Sequence, residues 1–449
     1  MQHIKIRNFG PIKEVDIDLN KEMEIVIGPQ ASGKSTFSKT IYFCKKIRDY
    51  FIQYLDIVMN NEYWYSDELY VKFLKFIRQP FMGYFGTTKH MQNFEIEYYY
   101  EVESKRFVKI GLDKDHYAKF KFSSEMEEDI RNMIKQAVEV AAHNTNVNEF
   151  AQTYFQQQGF IEKMKIPVKK IFCDDDKLIY IPAGRNLLAI VPEAFSKKST
   201  VLEDENIDIT QIDLITQEFI QYIKGAKSEF GSKLDEMTQN YIKTVKGQIK
   251  NHDVEMARLL IRNILCADYI NDKDGEKLFY DKEHWVKLMF GSSGQQEIVW
   301  ALNTIFLAIL KNEKTFMVFE EPESHLFPDS QAEIAKLVAL MIHSNGSRVI
   351  ITTHSPYMLT AVNLLIYSGE EEKNSNENSV ITKEFRLKPR SVGAYFITRS
   401  TGRFENIIGE TEKLIDALAI DGISDEINEK MDEILRKSIN NEKGRKNDL

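Results

Sequence analysis

The sequence predicts an α/β protein built on a mixed sheet, with an antiparallel β-subdomain and an inserted helical lobe. Three observations favour this fold class. Short apolar runs typical of buried strands alternate with helical patterns toward both ends of the chain. Strands of alternating apolar and polar residues follow one another over 93–122, and helix-forming residues dominate 208–268. With 449 residues, 43% of them hydrophobic, the chain can bury a large core.

The first half of the chain begins with three predicted strands, HIKIRNF, KEVDIDL and EMEIVIG. The third leads into GPQASGKST, after which we expect a long helix. Its buried face is predicted from apolar residues at helical spacing: Phe37, Ile41, Cys44, Ile47, Phe51 and Leu55. Antiparallel strands at NFEIEYYYEVES, RFVKIGL and YAKFKFS and a helix over 123–142 follow, while residues 62–90 give no clear assignment.

The second half continues this alternation. LIYIPAGR is predicted to be a strand that ends in a turn, and residues 208–268 to be two helices. A helix over 295–311, strand TFMVFEE, a helix over 330–344 and strand RVIITTH come next. Two further strands, ITKEFRLK and GAYFITR, are expected before a helical end.

The bulk composition excludes several classes of protein. A net charge of −9 argues against a chain that coats nucleic acid by overall electrostatics. The three cysteines, Cys44, Cys173 and Cys266, have no metal-ligand or CxxC spacing, which is typical of a reduced, cytoplasmic protein. No signal peptide and no apolar run long enough to cross a membrane is expected.

GPQASGKS, residues 28–35, satisfies the pattern G-x-x-x-x-G-K-[ST] of a phosphate-binding loop, the P-loop. The two glycines let the backbone wrap closely around phosphates, Lys34 supplies a positive charge, and the hydroxyl of Ser35 is a ligand for Mg²⁺. The predicted cofactors are therefore ATP and Mg²⁺. The candidate nucleotide-binding residues are Gly28, Pro29, Gln30, Ala31, Ser32, Gly33, Lys34, Ser35 and Thr36.

Two carboxylates end the apolar strand in FMVFEEPESHLFP. We predict that Glu320 joins the metal site and that Glu321 orients or deprotonates the attacking water, because the chain turns there and adjacent side chains can diverge. VIITTHSPY delivers His354 to the carboxyl end of another strand, the edge where α/β sheets bind ligands. His354 is predicted to contact the γ-phosphate, so the candidate catalytic residues are Lys34, Glu321 and His354.

FGSSGQQEIVW, residues 290–300, places a Gly/Ser loop before a helical pattern. This arrangement predicts a second anion-binding site, because free backbone N–H groups and the helix dipole would face an anion there. The candidate ATP contacts here are Ser292, Ser293, Gly294 and Gln295. Two chains placed head to tail could hold ATP between this loop and the P-loop of the other chain.

In chain order, the P-loop, SSGQQE, FEEPESHL and TTHSP resemble the motifs of ATP-binding-cassette (ABC) ATPases of the AAA family. The similarity is to the branch with structural-maintenance-of-chromosomes (SMC) proteins and overcoming-lysogenization-defect nucleases. NFGPIKEVDIDL, EEPESHL and YIPAGR look especially like defence-associated ATPases, such as the ATPase subunits of the Septu and PARIS anti-phage systems. The resemblance covers about residues 1–45 and 176–360 as motifs.

The resemblance implies a homodimer, or a higher homo-oligomer, in which chains share ATP sites. Ser292 and Gly294 would contact the ATP of the partner, and residues 295–297 would start the signature helix. Gly291 and Ser293 depart from the familiar Leu-Ser-Gly-Gly-Gln, and Glu320 stands where the family has Asp. These departures bear on the turnover rate rather than on nucleotide binding.

This resemblance also gives a provisional division of the chain. Residues 1–60 form the N-terminal part of an ABC-ATPase-like P-loop NTPase head, 61–122 an antiparallel β-rich part, and 123–270 a helical lobe insertion with a strand near 177–182. Residues 271–400 form the C-terminal part of the head, with the signature, the acidic strand end and His354. Residues 401–449 are expected to be a helical region and a disordered tail.

Four functions stay open. The leading one is an ATPase that controls an effector protein, a nuclease or toxin, in anti-phage defence, because about 95 residues follow His354 without the acidic motif of a Toprim nuclease. The alternative is an SMC-like ATPase of DNA repair or chromosomes that binds DNA through KIPVKK, SKKS or LKPRS. A transporter subunit fits poorly because the P-loop and signature are too far apart. A scaffold that uses ATP without hydrolysing it comes last.

CDDDK, residues 173–177, is expected to be a solvated turn before a strand. Arg185 at the end of YIPAGR could contact phosphate or couple two lobes, but a structural salt bridge is the favoured interpretation.

Overall fold

The computed structural model describes residues 1–60, 68–144, 150–185, 213–244, 251–371, 380–410, 413–416 and 430–431. The strands are β1 (His3–Phe9), β2 (Ile12–Asp18), β3 (Met23–Ile27), β4 (Glu95–Glu101), β5 (Arg106–Leu112), β6 (Ala118–Phe122), β7 (Lys177–Ile181), β8 (Asp268–Asp272), β9 (Gly275–Phe279), β10 (Trp285–Lys287), β11 (Thr315–Glu320), β12 (Arg348–Thr353), β13 (Val392–Ile397) and β14 (Phe404–Asn406). The helices are α1 (Lys34–Asn60), α2 (Leu69–Phe85), α3 (Ser124–Asn144), α4 (Phe150–Ile171), α5 (Leu214–Ala226), α6 (Leu234–Thr244), α7 (Asn251–Leu265), α8 (Ser293–Leu310), α9 (Pro328–Asn345) and α10 (Pro356–Glu371).

The central sheet has the strand order β14-β13-β3-β12-β11-β7. Every neighbouring pair is parallel except β13 with β14, so the sheet is mixed. All residues of β3 and β11 are buried, as expected of parallel strands covered on both faces. The parallel strands end at one edge, which therefore collects the P-loop after β3, Glu320 at the end of β11 and His354 after β12.

A second sheet is entirely antiparallel, in the order β2-β1-β4-β5-β6. The antiparallel strands predicted over 93–122 are confirmed, and they extend a sheet that β1 and β2 begin. The stretch without assignment contains α2, whose aromatic side chains pack on this sheet, with the ring centroids of Phe81 and Phe120 5.7 Å apart. These features and the mixed sheet confirm the predicted α/β fold class.

The described residues of the stretch 208–268 contain the helical segments α5, α6 and α7. A 3-10 turn over Lys227–Phe230 and Gly231 separate α5 from α6. The break predicted near residue 250 falls outside the described residues, which stop at 244 and resume at 251. A small antiparallel sheet, β10-β9-β8, follows α7 and leads into α8.

The predicted strand ITKEFRLK is wrong. This segment forms a 3-10 turn, Lys383–Phe385, and an extended piece packed on α10, where Leu387 donates its N–H to the carbonyl of Leu365. The apolar alternation reflects contact with a helix, because Leu387 is buried without a strand partner beside it in the described part of the chain. The strand GAYFITR is confirmed as β13. Most of the predicted C-terminal helical region lies outside the described residues.

The hydrophobic core occupies both faces of the central sheet. One buried cluster joins the sheet to α7, α8, α9 and α10, and the other joins it to α1, α2 and the antiparallel sheet. The predicted apolar face of α1 is confirmed, since Phe37, Ile41 and Phe51 are fully buried. None of the helices in the described residues is both long and apolar enough to cross a lipid bilayer.

Candidate functional site

The P-loop joins β3 to α1 and requires glycine at two positions. A Cβ atom on Gly28 would lie 2.7 Å from the carbonyl oxygen of Ile397 and 2.8 Å from the Oγ of Ser32. Gly33 has φ +109°, and a Cβ there would lie 2.9 Å from the side chain of Ile12. The loop is therefore held against β13 and the turn between β1 and β2, which fixes the path of its backbone.

Lys34 is the first residue of α1 and its side chain lies over the loop. Its Nζ donates to the carbonyl oxygens of Gly28 at 2.9 Å and Pro29 at 3.0 Å. Burial lowers the pKa of Lys34, while the nearby carboxylates of Glu321, Glu323 and Glu320 act in the opposite direction. The two carbonyls thus orient the ammonium group of Lys34. A bound phosphate can take their place as its hydrogen-bond acceptor.

The other predicted P-loop residues differ in exposure. Pro29, Gln30, Ala31 and Ser35 are exposed and Thr36 is half-buried. Ser32 is buried, and its Oγ has no hydrogen-bond partner among the described residues. An unpaired buried hydroxyl is costly, and a phosphate oxygen in the loop would supply the missing partner.

Glu320 is the last residue of β11 and is 4% exposed. Its Oε2 accepts a hydrogen bond from the N–H of Ala183 at 3.2 Å, whereas its Oε1 is buried without a partner in the described part of the chain. A carboxylate oxygen is the type of ligand that Mg²⁺ prefers. The unpaired Oε1 of Glu320 and the exposed hydroxyl of Ser35 therefore fit a magnesium site.

Glu321 turns the chain at the end of β11. It has φ +42°, in the left-handed region that only a few per cent of non-glycine residues adopt, and its N–H donates to the carbonyl of Thr352 at 2.9 Å. As a result, Glu320 stays buried while the Glu321 side chain is 38% exposed. The Nε2 of His354 lies 3.6 Å from the Oε1 of Glu321 and holds the pKa of that carboxyl below its usual range, against the opposing effect of burial.

Glu323 is a member of this site that the sequence analysis missed. Its Oε1 accepts hydrogen bonds from the Oγ1 of Thr353 at 2.8 Å and the N–H of His354 at 2.7 Å. Glu323 thus ties the loop after β11 to the end of β12 and fixes the backbone of His354. The signal was present in the motif as a third acidic residue, two positions after Glu321.

Within the part of the chain that the structure describes, Arg185 does not form the predicted salt bridge. Its guanidinium is fully buried and donates to the carbonyl oxygens of four residues: Pro182, Glu297, Glu320 and Glu321. Among the described residues no carboxylate lies within ion-pair distance of it. Burial lowers the pKa of Arg185. The planar guanidinium has five N–H donors, so it can donate to several carbonyl oxygens at once.

The signature turn, residues 291–295, begins α8. Ser292 is the N-cap, and Gln295 completes a capping box: the Ser292 Oγ accepts from the N–H of Gln295, whose Oε1 accepts from the N–H of Ser292 at 3.0 Å. Gln295 also donates to the carbonyl of Leu265 at 2.7 Å. Ser292 and Ser293 are exposed, and the side-chain hydrogen bonds of Ser292 stay within the signature turn.

Gly294 lets the signature turn approach the acidic strand end. A Cβ on Gly294 would lie 2.6 Å from the carbonyl oxygen of His325, in the loop that follows Glu323. Even alanine would therefore displace one backbone from the other. Within one chain the structure brings together Lys34, Glu320, Glu321 and His354, and it places the signature turn beside the loop after β11.

CDDDK is not the solvated turn that was predicted. Asp174 and Asp176 are buried, and they pair with cations from α1 and β12: Lys45 lies 2.7 Å from the Oδ2 of Asp174, and Arg348 lies 2.5 Å from the Oδ2 of Asp176. Arg48 donates to the carbonyls of both aspartates. These contacts make the cluster a structural ion network that joins α1 to the central sheet.

A cleft of about 660 Å³ lies beside the P-loop helix. It is lined by residues of the hairpin of β1 and β2, the loop before β4 and the turn after β5: Asn8, Gly10, Lys13, His90, Met91, Gln92, Asn93 and His116. Gly10 also touches α1, since a Cβ on it would lie 3.5 Å from the Cγ2 of Thr36. The cleft therefore adjoins the P-loop and has room for a nucleoside.

Comparison with known proteins identifies one family. Residues 1–359 match the family model described as AAA ATPase domain. No curated protein gives a significant match. The chain is similar to an SMC head bound to the C-terminal winged-helix domain of ScpA, with 12% identity, a TM-score of 0.37 and coverage of 80% of this chain and 90% of that chain.

Two other solved structures are similar at the same level. One is an SMC head domain from Thermotoga maritima, with 11% identity, a TM-score of 0.35 and coverage of 80% and 90%. The other is an Smc head domain with an extended coiled coil from Pyrococcus furiosus, bound to the C-terminal domain of ScpA, with 11% identity, a TM-score of 0.36 and coverage of 91% and 96%. Similarity this low carries no argument about function.

Proposed function

This chain belongs to the family of AAA ATPase domains, and from that premise we propose that it binds ATP with Mg²⁺ and hydrolyses it. The observation that carries the proposal is the turn at Glu321, which leaves one carboxylate buried and directs the next toward His354. In this proposal Glu320 is the metal ligand and Glu321 is the base that orients water. The turn lets these two neighbours in the chain point in different directions, near the buried ammonium of Lys34.

Each residue of the site has a distinct role in this proposal. The backbone of residues 28–36 and Lys34 bind the β- and γ-phosphates, and the nucleoside occupies the cleft beside α1. Ser35 and Glu320 hold Mg²⁺, which neutralises charge on the phosphates. Glu321 orients the attacking water and accepts its proton, and His354 contacts the γ-phosphate.

The site is completed, in our proposal, by the signature turn of a second chain. Ser292 and Ser293 present hydroxyls at the exposed N-terminus of an 18-residue helix, where backbone N–H groups and the helix dipole attract anions. Two chains arranged head to tail then enclose two ATP molecules, each between a P-loop and the signature turn of the partner chain.

A steady-state ATPase assay tests this proposal. We expect turnover per chain to rise with protein concentration and to require Mg²⁺, because each site needs two chains and a metal. Lys34→Met abolishes turnover, whereas the matched control Lys39→Met, on the same helix, retains it. Turnover that survives in Lys34→Met, or that is unaffected by removal of Mg²⁺, would contradict the proposed chemistry.

We further propose that ATP-driven dimerisation controls a partner effector, a nuclease or toxin, in cytoplasmic anti-phage defence. The support is the resemblance of the motifs to those of defence-associated ATPases. Co-purification of a nuclease or toxin with this protein from the native host would support this role. Strong stimulation of the isolated protein by duplex DNA, with no protein partner, would favour the alternative of an SMC-like DNA repair or chromosome ATPase.

A further inference from the structure

We infer that Arg185 is a positioning residue that couples the signature turn to the catalytic carboxylates of the same chain. The inference rests on the proposed function, because it concerns communication between shared ATP sites. It also goes beyond that function, since it names a residue that contacts neither nucleotide.

The contacts of Arg185 join three separate segments. Its Nε donates to the carbonyl oxygen of Glu297 at 3.2 Å, in the first turns of α8. One terminal nitrogen donates to Pro182 at 2.8 Å and to Glu320 at 2.6 Å, and the other donates to Glu321 at 2.9 Å. A single side chain thus links the end of β7, the signature helix and both carboxylate residues.

The burial of Arg185 shows how demanding this arrangement is. A guanidinium with 0% exposure has lost its hydration, and no carboxylate within ion-pair distance compensates for it in the described part of the chain. The four carbonyl hydrogen bonds and the ring of Phe319, 5.4 Å away, provide the compensation. Each bond is therefore costly to break, so a movement of one segment is passed to the others.

The geometry at Glu321 makes this link relevant to catalysis. Its left-handed backbone, with φ +42°, is fixed at the N–H by Thr352 and at the carbonyl by Arg185. Glu297 lies about one and a half turns after Ser292 on the same helix, which moves as a rigid element. When the signature turn contacts the nucleotide of the partner, α8 shifts the guanidinium, which moves Glu321 into place.

The consequence is coupling between the two ATP sites of a dimer. The signature turn of one chain faces the nucleotide of the partner, whereas Glu321 of that chain faces its own nucleotide. Arg185 lies between them and makes hydrolysis in one site depend on occupancy of the other.

A double-mutant cycle on kcat tests the inference. Ser292→Ala and Arg185→Lys should each lower kcat about 10-fold or more, with little change in ATP affinity, because the P-loop is intact in both. Lysine keeps the charge but lacks the planar fork. If Arg185 transmits the Ser292 contact, the double variant is scarcely slower than either single variant, so the two effects do not multiply.

Arg48→Lys is the matched control. Arg48 is also buried and also donates to backbone carbonyls, those of Asp174 and Asp176, and none of its hydrogen bonds or ion pairs among the described residues reaches the signature helix. In the Arg48→Lys background, Ser292→Ala should lower kcat by the same factor as it does in the wild-type background. If the effects of Ser292→Ala and Arg185→Lys on kcat multiply, the coupling through Arg185 is overturned, but the shared ATP site is not. A normal kcat in Ser292→Ala would overturn the shared site as well.

Amide hydrogen exchange of the wild-type protein provides a second measurement that needs no folded variant of Arg185. ADP with Mg²⁺ should slow exchange in residues 28–36 and, through Arg185, in residues 293–297, at a protein concentration where the chain is monomeric. Protection confined to residues 28–36, with exchange at 293–297 unchanged, would overturn the inference.

Discussion

Replacement of Glu321 by glutamine is the substitution with the clearest expected result. The amide keeps the size of the side chain and the backbone at φ +42°, but it cannot accept a proton from water. His354 holds the pKa of Glu321 low, so the carboxylate of the wild type is ionised at neutral pH. Removal of a general base typically costs a factor of about 10² to 10⁴ in kcat, which corresponds to about 3 to 5 kcal/mol in the activation barrier.

The same substitution should leave the fold intact. The contact with His354 is long, at 3.6 Å, and the carboxylate is 38% exposed, so solvent screening limits its contribution to about 1 kcal/mol or less. A large loss of turnover would therefore come from the chemistry and not from unfolding. Nucleotide binding should persist, because Lys34 and the loop backbone are unchanged.

Phosphate release at saturating ATP measures kcat, and titration with a fluorescent ATP analogue measures affinity. Glu333→Gln is a suitable control, since Glu333 forms a partly exposed pair with Lys336 on α9, away from the strand end. A kcat of Glu321→Gln within about threefold of the wild type, or an equal loss of kcat in Glu333→Gln, would exclude Glu321 as the general base.

Three further predictions concern stability. Asp174→Asn leaves the fully buried ammonium of Lys45 without the carboxylate that lies 2.7 Å from it. The free energy of unfolding in urea should fall by about 3 kcal/mol. A fall below about 1 kcal/mol would contradict a buried ion pair. Burial raises the pKa of Glu24 from 4.5 to about 8, so the folded state binds an extra proton between these values and stability should fall as pH rises through that interval. Glu24→Gln should remove this slope and stabilise the protein above pH 8 by up to about 5 kcal/mol, and an unchanged slope would refute this prediction. Gly294→Ala should destabilise the protein by about 1 to 3 kcal/mol, because the new methyl group meets the backbone carbonyl of His325. Gly225→Ala, on a helix face with open space, should be neutral or stabilising. Equal effects of the two substitutions in thermal unfolding would contradict the close approach of Gly294 to His325.

The sequence was informative wherever function or burial restricts the residue types. The P-loop, the apolar strands β3, β11 and β12 and the helix after the loop were all recognisable, because a buried parallel strand followed by a Gly-rich turn admits few residues. The divergence of Glu320 and Glu321 was also predictable in outline. The left-handed backbone that produces it was not, because glutamate has no particular preference for that conformation.

The features that the sequence did not reveal depend on contacts between distant segments. Asp174 in CDDDK looks like a surface residue until Lys45 is brought to it from α1, 129 positions earlier in the chain. Arg185 looks like a salt-bridge residue until the carbonyls of β11 and α8 surround it. ITKEFRLK has the alternation of a strand but packs Leu387 on a helix. Periodicity shows which side chains are buried, but it does not show what covers them.

Complementation between two inactive variants tests the shared ATP site most directly. Lys34→Met lacks a working P-loop, and Ser292→Ala lacks a working signature turn, so we expect each alone to have little turnover. In a mixed dimer, the intact P-loop of one chain faces the intact signature turn of the other, and one of the two sites is restored. Random mixing would recover about a quarter of wild-type turnover if the two sites were independent. The working P-loop of the mixed dimer lies in the chain that carries Ser292→Ala, so coupling through Arg185 lowers the recovery below a quarter, but turnover should still exceed that of either variant alone. No recovery on mixing, with mixed dimers verified, would contradict the head-to-tail arrangement.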